Sequence, residues 1–383
     1  MVSSGVNPIL PNRMGAIEPY VYGLAKSLAA TNEVDVFGVG SGRVTEGNLN
    51  IYGMANVQAL QRSLSKMLDW RIAYYLPFNS FVLKNILELH LKNPIDVLHI
   101  HEIYTGFSAT ISKLSLGIPY VCSIHNEVRT TSPIYSCEKA LAVSGYIKNS
   151  LIGQGRFDKS HVAILNIAID VNAFQPAANI EQTKQELGLK NRKVILFVGR
   201  KCPEKGPQIL VDALPKIVEK NTNVTAVFIG PDLIFGSTTY SSSYAYTQHL
   251  ESKAKRLGLE GNVIFKSFIP DAVKKMFYAA ADVVVFPSIW QEPAGIVLLE
   301  AMAASKPLVA TDVGGVTDFV QDKINGLIIP PSDPNQLAES VNFLLDNPRY
   351  ALTLGKNGRK IVEQNFSFDV ITQRCLQIYE KII

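Results

Sequence analysis

Cysteine is scarce: Cys122, Cys137, Cys202 and Cys375 are the four in 383 residues, too far apart for the paired spacing of a zinc site or a disulfide framework. They read as reduced, mostly buried thiols. Long apolar runs are missing too. No stretch approaches the roughly 18 uninterrupted apolar residues of a membrane-spanning helix, and the N-terminus lacks a basic-then-apolar signal, so a cytoplasmic protein is expected. Dense Lys/Arg runs are absent, and 37 basic against 33 acidic residues leave a formal net charge of +4, so no nucleic-acid partner is expected. That mild excess still attracts anionic nucleotides or the inner face of an anionic membrane. No two aspartates are spaced Asp-x-Asp, which removes that metal-holding pair. No Gly-x-Gly-x-x-Gly follows the first strand with an acid downstream, which argues against a nicotinamide dehydrogenase. Internal repeats and low-complexity tracts are also lacking, residues 237–246, rich in Ser and Tyr, coming nearest.

What is present is a globular composition, 47% hydrophobic and 18% charged, in a chain too long for one ordinary core. Two domains are the natural reading. Apolar runs of strand length alternate with helix-period segments, the pattern of parallel sheets covered by helices, so the fold class is α/β. The first half offers strands at 34–39, 96–100, 120–124, 141–144 and 162–165, with helical stretches such as 17–30 and 146–154 between them. A second series, 194–198, 224–229, 263–265, 283–286, 308–310 and 327–329, reads as another Rossmann-like unit. Residues 170–191, rich in Ala, Asn, Gln and Pro in their first half, are placed as the interdomain linker, with the cut near residue 175. Two doubly wound domains joined in this way leave a cleft, and ligands of such sheets sit outside the carboxyl ends of the strands.

The segment Val198-Gly199-Arg200-Lys201-Cys202-Pro203-Glu204-Lys205-Gly206-Pro207 follows an apolar strand and leads into a helix that Pro207 is suited to start. Arg200 and Lys205 thus stand at a strand's carboxyl end, where paired cations stabilise the charge that develops on a departing diphosphate. Two basic residues in a loop are, taken alone, more often simply solvated. A second turn, Gln291-Glu292-Pro293-Ala294-Gly295-Ile296, lies between strand 283–286 and a helix over 296–304. Free amides at a helix start form an anion site, with Gly295 letting the backbone approach closely. The competing reading is an ordinary loop that uses Gly and Pro for its turn. Glu292 precedes that helix and Glu300 lies inside it, so the two address different parts of one ligand. Each carboxylate accepts two hydroxyl hydrogen bonds, which suits a ribose diol for Glu300 and sugar hydroxyls for Glu292. Helices carry many glutamates on solvated faces, but Leu298, Leu299, Ala301 and Met302 around Glu300 make a plain surface role less comfortable.

Taken together, Gly199-Arg200, Lys205-Gly206 and Glu292-Pro-Ala-Gly-Ile-Val-Leu-Leu-Glu300 resemble the retaining GT-B glycosyltransferases of family four, the glycosyl transferases group 1. The resemblance extends into Ala301-Met302-Ala303, Thr311-Asp-Val-Gly314-Gly315, Asn325-Gly326-Leu327 and Phe366-Ser-Phe368…Ile378-Tyr379-Glu380. The first half matches through Asn12-Arg-Met-Gly15-Ala-Ile-Glu18, His99-Ile-His101, Val143-Ser144 and Asn166…Asp170…Phe174. The resemblance implies two Rossmann-like doubly wound parallel-sheet domains facing each other across a cleft. Residues 1–175 would form the acceptor side, 176–365 the nucleotide-sugar side, and 366–383 a helix crossing back to the first domain.

The activity so implied is a hexosyltransferase that moves a sugar from a UDP-, GDP- or ADP-sugar to a glycan, lipid or small-molecule acceptor, with retention of anomeric configuration and no cofactor or metal. By resemblance Arg200 and Lys205 bind the donor diphosphate, Glu292 the transferring sugar and Glu300 the ribose, while Gly199 and the turn Pro293, Ala294, Gly295 and Ile296 touch phosphate or sugar. Where the family has Gly-Gly near the first helix this chain has Met14-Gly15, so only Gly15 carries over as a donor contact. The family's Asn-Gly-x-Asp reads Asn166-Ile-Ala-Ile-Asp170, one residue longer. His125 matches the family's cleft histidine, which contacts the reacting sugar. His101 stands between an acceptor-side and a structural role, with Asn126 and Arg129 as further acceptor-side candidates. A metal on His99, His101 and His125 would lack an acidic partner.

Two other readings differ in class: an epimerase of the same fold, which needs no acceptor, and a catalytically silent nucleotide-sugar-binding subunit. Donor hydrolysis or transfer by purified protein separates both from a transferase. The apolar and aromatic residues 68–89 either pack in the core or cover a lipid acceptor or a membrane surface. Only residues 1–4 precede Gly5, so the first strand reads as clipped, with the first sheet expected to be the less protected one.

Overall fold

The computed structural model describes residues 1–3, 17–40, 42–55, 70–102, 106–127, 137–176, 178–231 and 245–383, without the side chains of 70–74. Gly15, Arg129 and all but the last two of residues 237–246 lie outside the described residues. The chain divides into two compact units, Met1–Ile169 with Phe368–Ile383, and Asp170–Ser367.

In the first unit, helix α1 (Ile17–Leu28) buries Tyr20, Val21, Leu24, Ala25 and Leu28, a stripe at helical spacing. Strands β1 (Val34–Val39) and β3 (Leu49–Met54) pair in parallel, and β2 (Gly42–Glu46) joins β3 antiparallel. The alternation of apolar runs announced neither β3 nor β2, whose Gly-Arg-Val-Thr-Glu sequence is exposed at four of its five positions. Helix α2 (Trp70–Lys92) covers most of the aromatic segment whose role was open; its Phe78, Val82 and Ile86 are fully buried one turn apart, while Leu87 and Leu91 face solvent. Strands β4 (Leu98–His101), β5 (Tyr120–Ile124), β6 (Lys139–Ala142) and β7 (Val162–Ile164) form a parallel array in that order. Helices α3 (Gly106–Leu116) and α4 (Gly145–Gly153) connect them, α4 capped by the Ser144 hydroxyl on the Ile147 amide. Val2 bridges Phe37 of β1 and Ile100 of β4, both in parallel, and so links the two strand arrays. The helix Phe368–Tyr379 packs on α1 within this unit.

The second unit opens with the segment read above as a linker, and the segment is ordered. The Asp170 carboxylate accepts from the amides of Asn172 (3.0 Å) and Ala173 (3.2 Å) and holds a short 3-10 turn. Helix α5 (Ile180–Glu186) follows, capped by Asn179. Lys184, 4% exposed, reaches from α5 to both oxygens of Asp282, one of which also accepts from the Val194 amide. Long-range pairs hold the segment despite its linker-like composition.

Beyond it come β8 (Lys193–Val198), α6 (Pro207–Lys220), β9 (Val224–Ile229), α7 (Ala245–Arg256), β10 (Val263–Lys266), α8 (Asp271–Ala280), β11 (Val283–Phe286), α9 (Ile296–Ala303), β12 (Leu308–Thr311) and β13 (Leu327–Ile329). The strands are all parallel in the order β10-β9-β8-β11-β12-β13. β8, β9 and β11 are apolar almost throughout, as sheets buried on both faces require. Helices α10 (Pro334–Asp346) and α11 (Pro348–Asn365) complete the unit. From α11, Arg359 donates to the carbonyls of Val171 (3.1 Å) and Phe174 (2.8 Å) and to that of Ala303, tying the unit's first turn to α9. Strand order reverses between β8 and β11, the place where open parallel sheets bind ligands.

Candidate active site

Two loops leave the carboxyl ends of β8 and β11 at that reversal and are fastened to each other. The Glu204 carbonyl in the first accepts from the amides of Ile289 (3.0 Å) and Trp290 (3.2 Å) and from the Ser288 hydroxyl (3.1 Å) in the second. Gly206 turns the first loop into α6 with φ +69°; a Cβ there would also lie 1.9 Å from the Pro287 carbonyl oxygen. The loops thereby bring two of the sequence candidates together. Lys205 donates to both oxygens of Glu292, at 2.6 and 2.8 Å, and the Ser288 hydroxyl donates to the first of them at 2.7 Å. Glu292 is 4% exposed. Its backbone is pinned from a third loop, where the Gly315 amide donates to the Glu292 carbonyl (2.7 Å) and the Gly314 amide to the Gln291 side chain (2.7 Å). Gly314 has φ +55° and no room for a side chain, since a Cβ would meet the Glu292 carbonyl oxygen at 2.2 Å.

Arg200 stands apart from this pairing. Its side chain is exposed and makes no hydrogen bond or ion pair among the described residues. The neighbouring Lys201 is the opposite case, 1% exposed, with its ammonium donating to the carbonyls of Gly230 and Lys266 at 2.8 Å each. The loop thus presents one cation to solvent, pairs a second and buries a third. The Gly199 amide donates to the Ile229 carbonyl (2.9 Å) and continues the β8 ladder into that loop.

The turn Pro293, Ala294, Gly295 and Ile296 leads into α9, whose first amides lack intrahelical acceptors as in any helix. Gly295 is extended at φ −174°, so the backbone there makes no demand for glycine; a Cβ would instead press on the Leu298 side chain at 2.7 Å. Within α9, Glu300 is 5% exposed, and both its oxygens are engaged. Lys274 donates to one and the Tyr278 hydroxyl to the other, each at 2.7 Å. Phe174 lies edge-on to the Tyr278 ring. Sequence reasoning missed Lys274, Tyr278, Ser288 and Gln291. The available signal was the i, i+4 spacing of Lys274 and Tyr278, which sets both on one face of α8.

The first unit holds the histidines, in a column of imidazoles at the ends of β4 and β5. His99 bonds through Nδ1 to the Tyr379 hydroxyl (2.6 Å) and through Nε2 to that of Ser123 (2.7 Å). Its ring stacks on His101 at 4.2 Å, and His101 stacks on His125 at 5.5 Å. Nδ1 of His101 and Nε2 of His125 lie 3.2 Å apart. Stacked rings of this kind do not converge on a common metal. Burial holds His125 down to about 4 and His99 and His101 well below the ordinary histidine range, so all three are neutral at pH 7. His101 is 0% exposed and stacks between His99 and His125. Asn126 donates to Glu102 at 3.1 Å, and burial pushes that carboxyl up to about 7.

No helix among the described residues is long and apolar enough to cross a membrane. The sequence profile of the glycosyl transferases group 1 matches residues 179–361, and that of Glycosyltransferase Family 4 matches residues 17–173. Spore coat protein SA of Bacillus subtilis is 28% identical over 98% of this chain and 97% of its own length. An uncharacterised glycosyltransferase of Methanocaldococcus jannaschii is likewise 28% identical, over 97% and 95%. Among solved structures, Anabaena HepE in complex with UDP superposes with a TM-score of 0.78 at 23% identity, over 99% of this chain and 98% of that one, and so shares the fold. With both halves matched by these profiles, the candidate carboxylates and cations at the switch point of a six-strand parallel sheet, and the GT-B fold, this chain belongs to the family 4 (group 1) glycosyltransferases.

Proposed function

We propose that the protein transfers a sugar from a nucleotide diphosphate sugar, with a UDP-, GDP- or ADP-sugar as donor, to a glycan, lipid or small-molecule acceptor, with retention of anomeric configuration. The observation that carries this is the pairing of Lys205 with buried Glu292 beside unpaired Arg200, all at the strand ends where such sheets bind ligands. Arg200 and Lys205 take the diphosphate, whose growing charge they stabilise as the bond to the sugar breaks. Glu292 accepts from sugar hydroxyls. The Glu300 carboxylate keeps lone pairs for a ribose diol beyond those used by Lys274 and Tyr278. The start of α9 offers amides to phosphate. His125 contacts the reacting sugar, Gly15 the donor, and Asn126 and Arg129 belong to the acceptor side.

The departing phosphate takes the acceptor's proton as the acceptor attacks from the face that the phosphate leaves. No protein nucleophile is then required. Binding of UDP in HepE supports a nucleotide donor, and the family supports transfer over donor binding alone. The protein works in the cytoplasm, with a peripheral membrane contact if the acceptor is a lipid. Purified protein screened against UDP-, GDP- and ADP-sugars with candidate acceptors tests this by released nucleotide. The expected result is release with one donor class, reduced roughly 10²–10³-fold by Arg200→Ala, the scale for one lost charge-stabilising group. No release with any donor, or full release by the Arg200→Ala variant, would remove the assignment.

A further inference from the structure

The fate of each nitrogen in the histidine column fixes more than the position of the rings. A neutral imidazole has one N–H and one bare nitrogen, and the bond made by one nitrogen decides the state of the other. His125 and His101 share a contact between Nε2 of the first and Nδ1 of the second at 3.2 Å, so one of the two carries the proton. His101 Nε2 is fully buried and has no hydrogen-bond partner among the described residues. If His125 donated, His101 would be left with that Nε2 as a buried N–H without an acceptor, the rarer kind of orphan in folded proteins. If His101 donates, its Nε2 is a bare nitrogen and His125 carries its proton on Nδ1. His125 is 8% exposed where His101 is 0%, and its Nδ1 is not among the buried nitrogens left without a partner.

The column is also fixed from behind. His99 is held at both nitrogens by Tyr379 and Ser123, and it stacks on His101 at 4.2 Å. Tyr20 lies edge-on to both His101 and His125, at 5.8 and 5.6 Å, and blocks ring rotation on that side.

We propose that His101 is a positioning residue: its Nδ1–H fixes His125 as the Nδ1-protonated tautomer, so that His125 offers a hydrogen-bond donor to an oxygen of the bound sugar. The inference rests on the reading of His125 as the sugar-contacting histidine, and its test separates the two. Burial that keeps every ring neutral is what makes the choice of tautomer matter, because a protonated His125 would donate from both nitrogens.

The full chain labelled with ¹⁵N at histidine, read by long-range ¹H–¹⁵N correlation of the ring nitrogens, reports the tautomers without reference to activity. A His125→Gln variant assigns the His125 signals. In the wild-type protein the His125 proton is expected on Nδ1. His101→Phe keeps an aromatic plane against His99 but offers no N–H, and is expected to move the His125 proton to Nε2. It should also lower kcat for sugar transfer about ten-fold, the size of one lost directional hydrogen bond, with a smaller change in KM for the donor. His101→Asn, whose amide N–H can stand near the place of Nδ1, should restore both readouts in part. A wild-type His125 protonated on Nε2 overturns the proposal, and so does an unchanged tautomer in His101→Phe. If that variant does not fold, the wild-type spectrum and His101→Asn still decide. A tautomer shift with unchanged kcat upholds the role of His101 and removes His125 from the catalytic reading.

Discussion

Replacing Lys205 by methionine separates a structural ion pair from a catalytic one. The side chains of Glu292 and Lys205 are 6% and 21% exposed, and the ammonium touches both carboxylate oxygens. Without it, Glu292 keeps the Ser288 hydroxyl as its side-chain partner. Stripping the cation from a fully buried carboxylate costs about 3–5 kcal/mol; solvent reaching a fifth of the lysine screens part of that, and about 2 kcal/mol is expected. The double variant Lys205→Met/Glu292→Gln removes the stranded charge, so most of that loss should return. Turnover should behave differently. With the diphosphate short of a cation, kcat falls roughly 10²–10³-fold in the single variant and stays down in the double one. Urea unfolding followed by circular dichroism gives the first quantity, and nucleotide release at saturating donor gives the second. A double variant with native turnover would show that the Lys205 charge plays no part in the chemistry.

Three further outcomes are expected. Gly206→Ala combines a left-handed backbone with a Cβ 1.9 Å from the Pro287 carbonyl, so it should cost about 3 kcal/mol or more and lower the melting temperature markedly; a native melting temperature would show that the loop yields. The first unit should lose stability as pH falls from about 6.5 to 4. Histidines whose folded pKa is lowered bind fewer protons folded than unfolded in that window, and His125 alone accounts for roughly 3 kcal/mol. His99 and His101 act in the same direction, while the raised Glu102 carboxyl opposes them between about 4.5 and 7, one group against three; hydrogen exchange of β4 and β5 at pH 7 and 5 checks the sign, and equal protection at both would refute it. Transfer should persist in excess EDTA, since no Asp-x-Asp pair exists to hold a metal; loss on chelation with recovery on Mn²⁺ would mean that the charge is stabilised elsewhere.

The strands were legible where they are buried on both faces, because continuous apolar runs such as Val224–Ile229 and Val283–Phe286 have no other comfortable place. β2 was not, since an exposed edge strand of Gly, Arg, Val, Thr and Glu carries no such run, and neither was β3, where Asn50 and Gly53 interrupt the apolar residues. The same contrast holds in the site. Loop cations and carboxylates could be named from spacing, yet nothing local says that Lys205 spends its charge on Glu292 while Arg200 does not, because the partners are 87 residues apart and meet only when β8 and β11 pair. Lys274 and Tyr278 share a face of α8 at i, i+4 spacing, but the carboxylate that they hold, Glu300, lies 26 and 22 residues further on. The burial of His101 could not be read from sequence, because a strand-end histidine looks alike whether it faces solvent or sits under another ring.

The first unit is discontinuous in sequence: its helix Phe368–Tyr379 is reached only after the whole second unit, Asp170–Ser367. On the ribosome the order of completion is therefore inverted. The second unit, one unbroken stretch, can finish as soon as it emerges, whereas the earlier-made strands β1 to β7 must wait for a segment synthesised roughly two hundred residues later. Until then His99 has no Tyr379 hydroxyl to bond and α1 has no helix to cover it. A nascent chain held before residue 368 should carry a native second unit beside a first unit whose α1 is uncovered around Tyr20 and Gly23, where Phe368 packs in the finished protein, and that is where a holding chaperone would find its purchase.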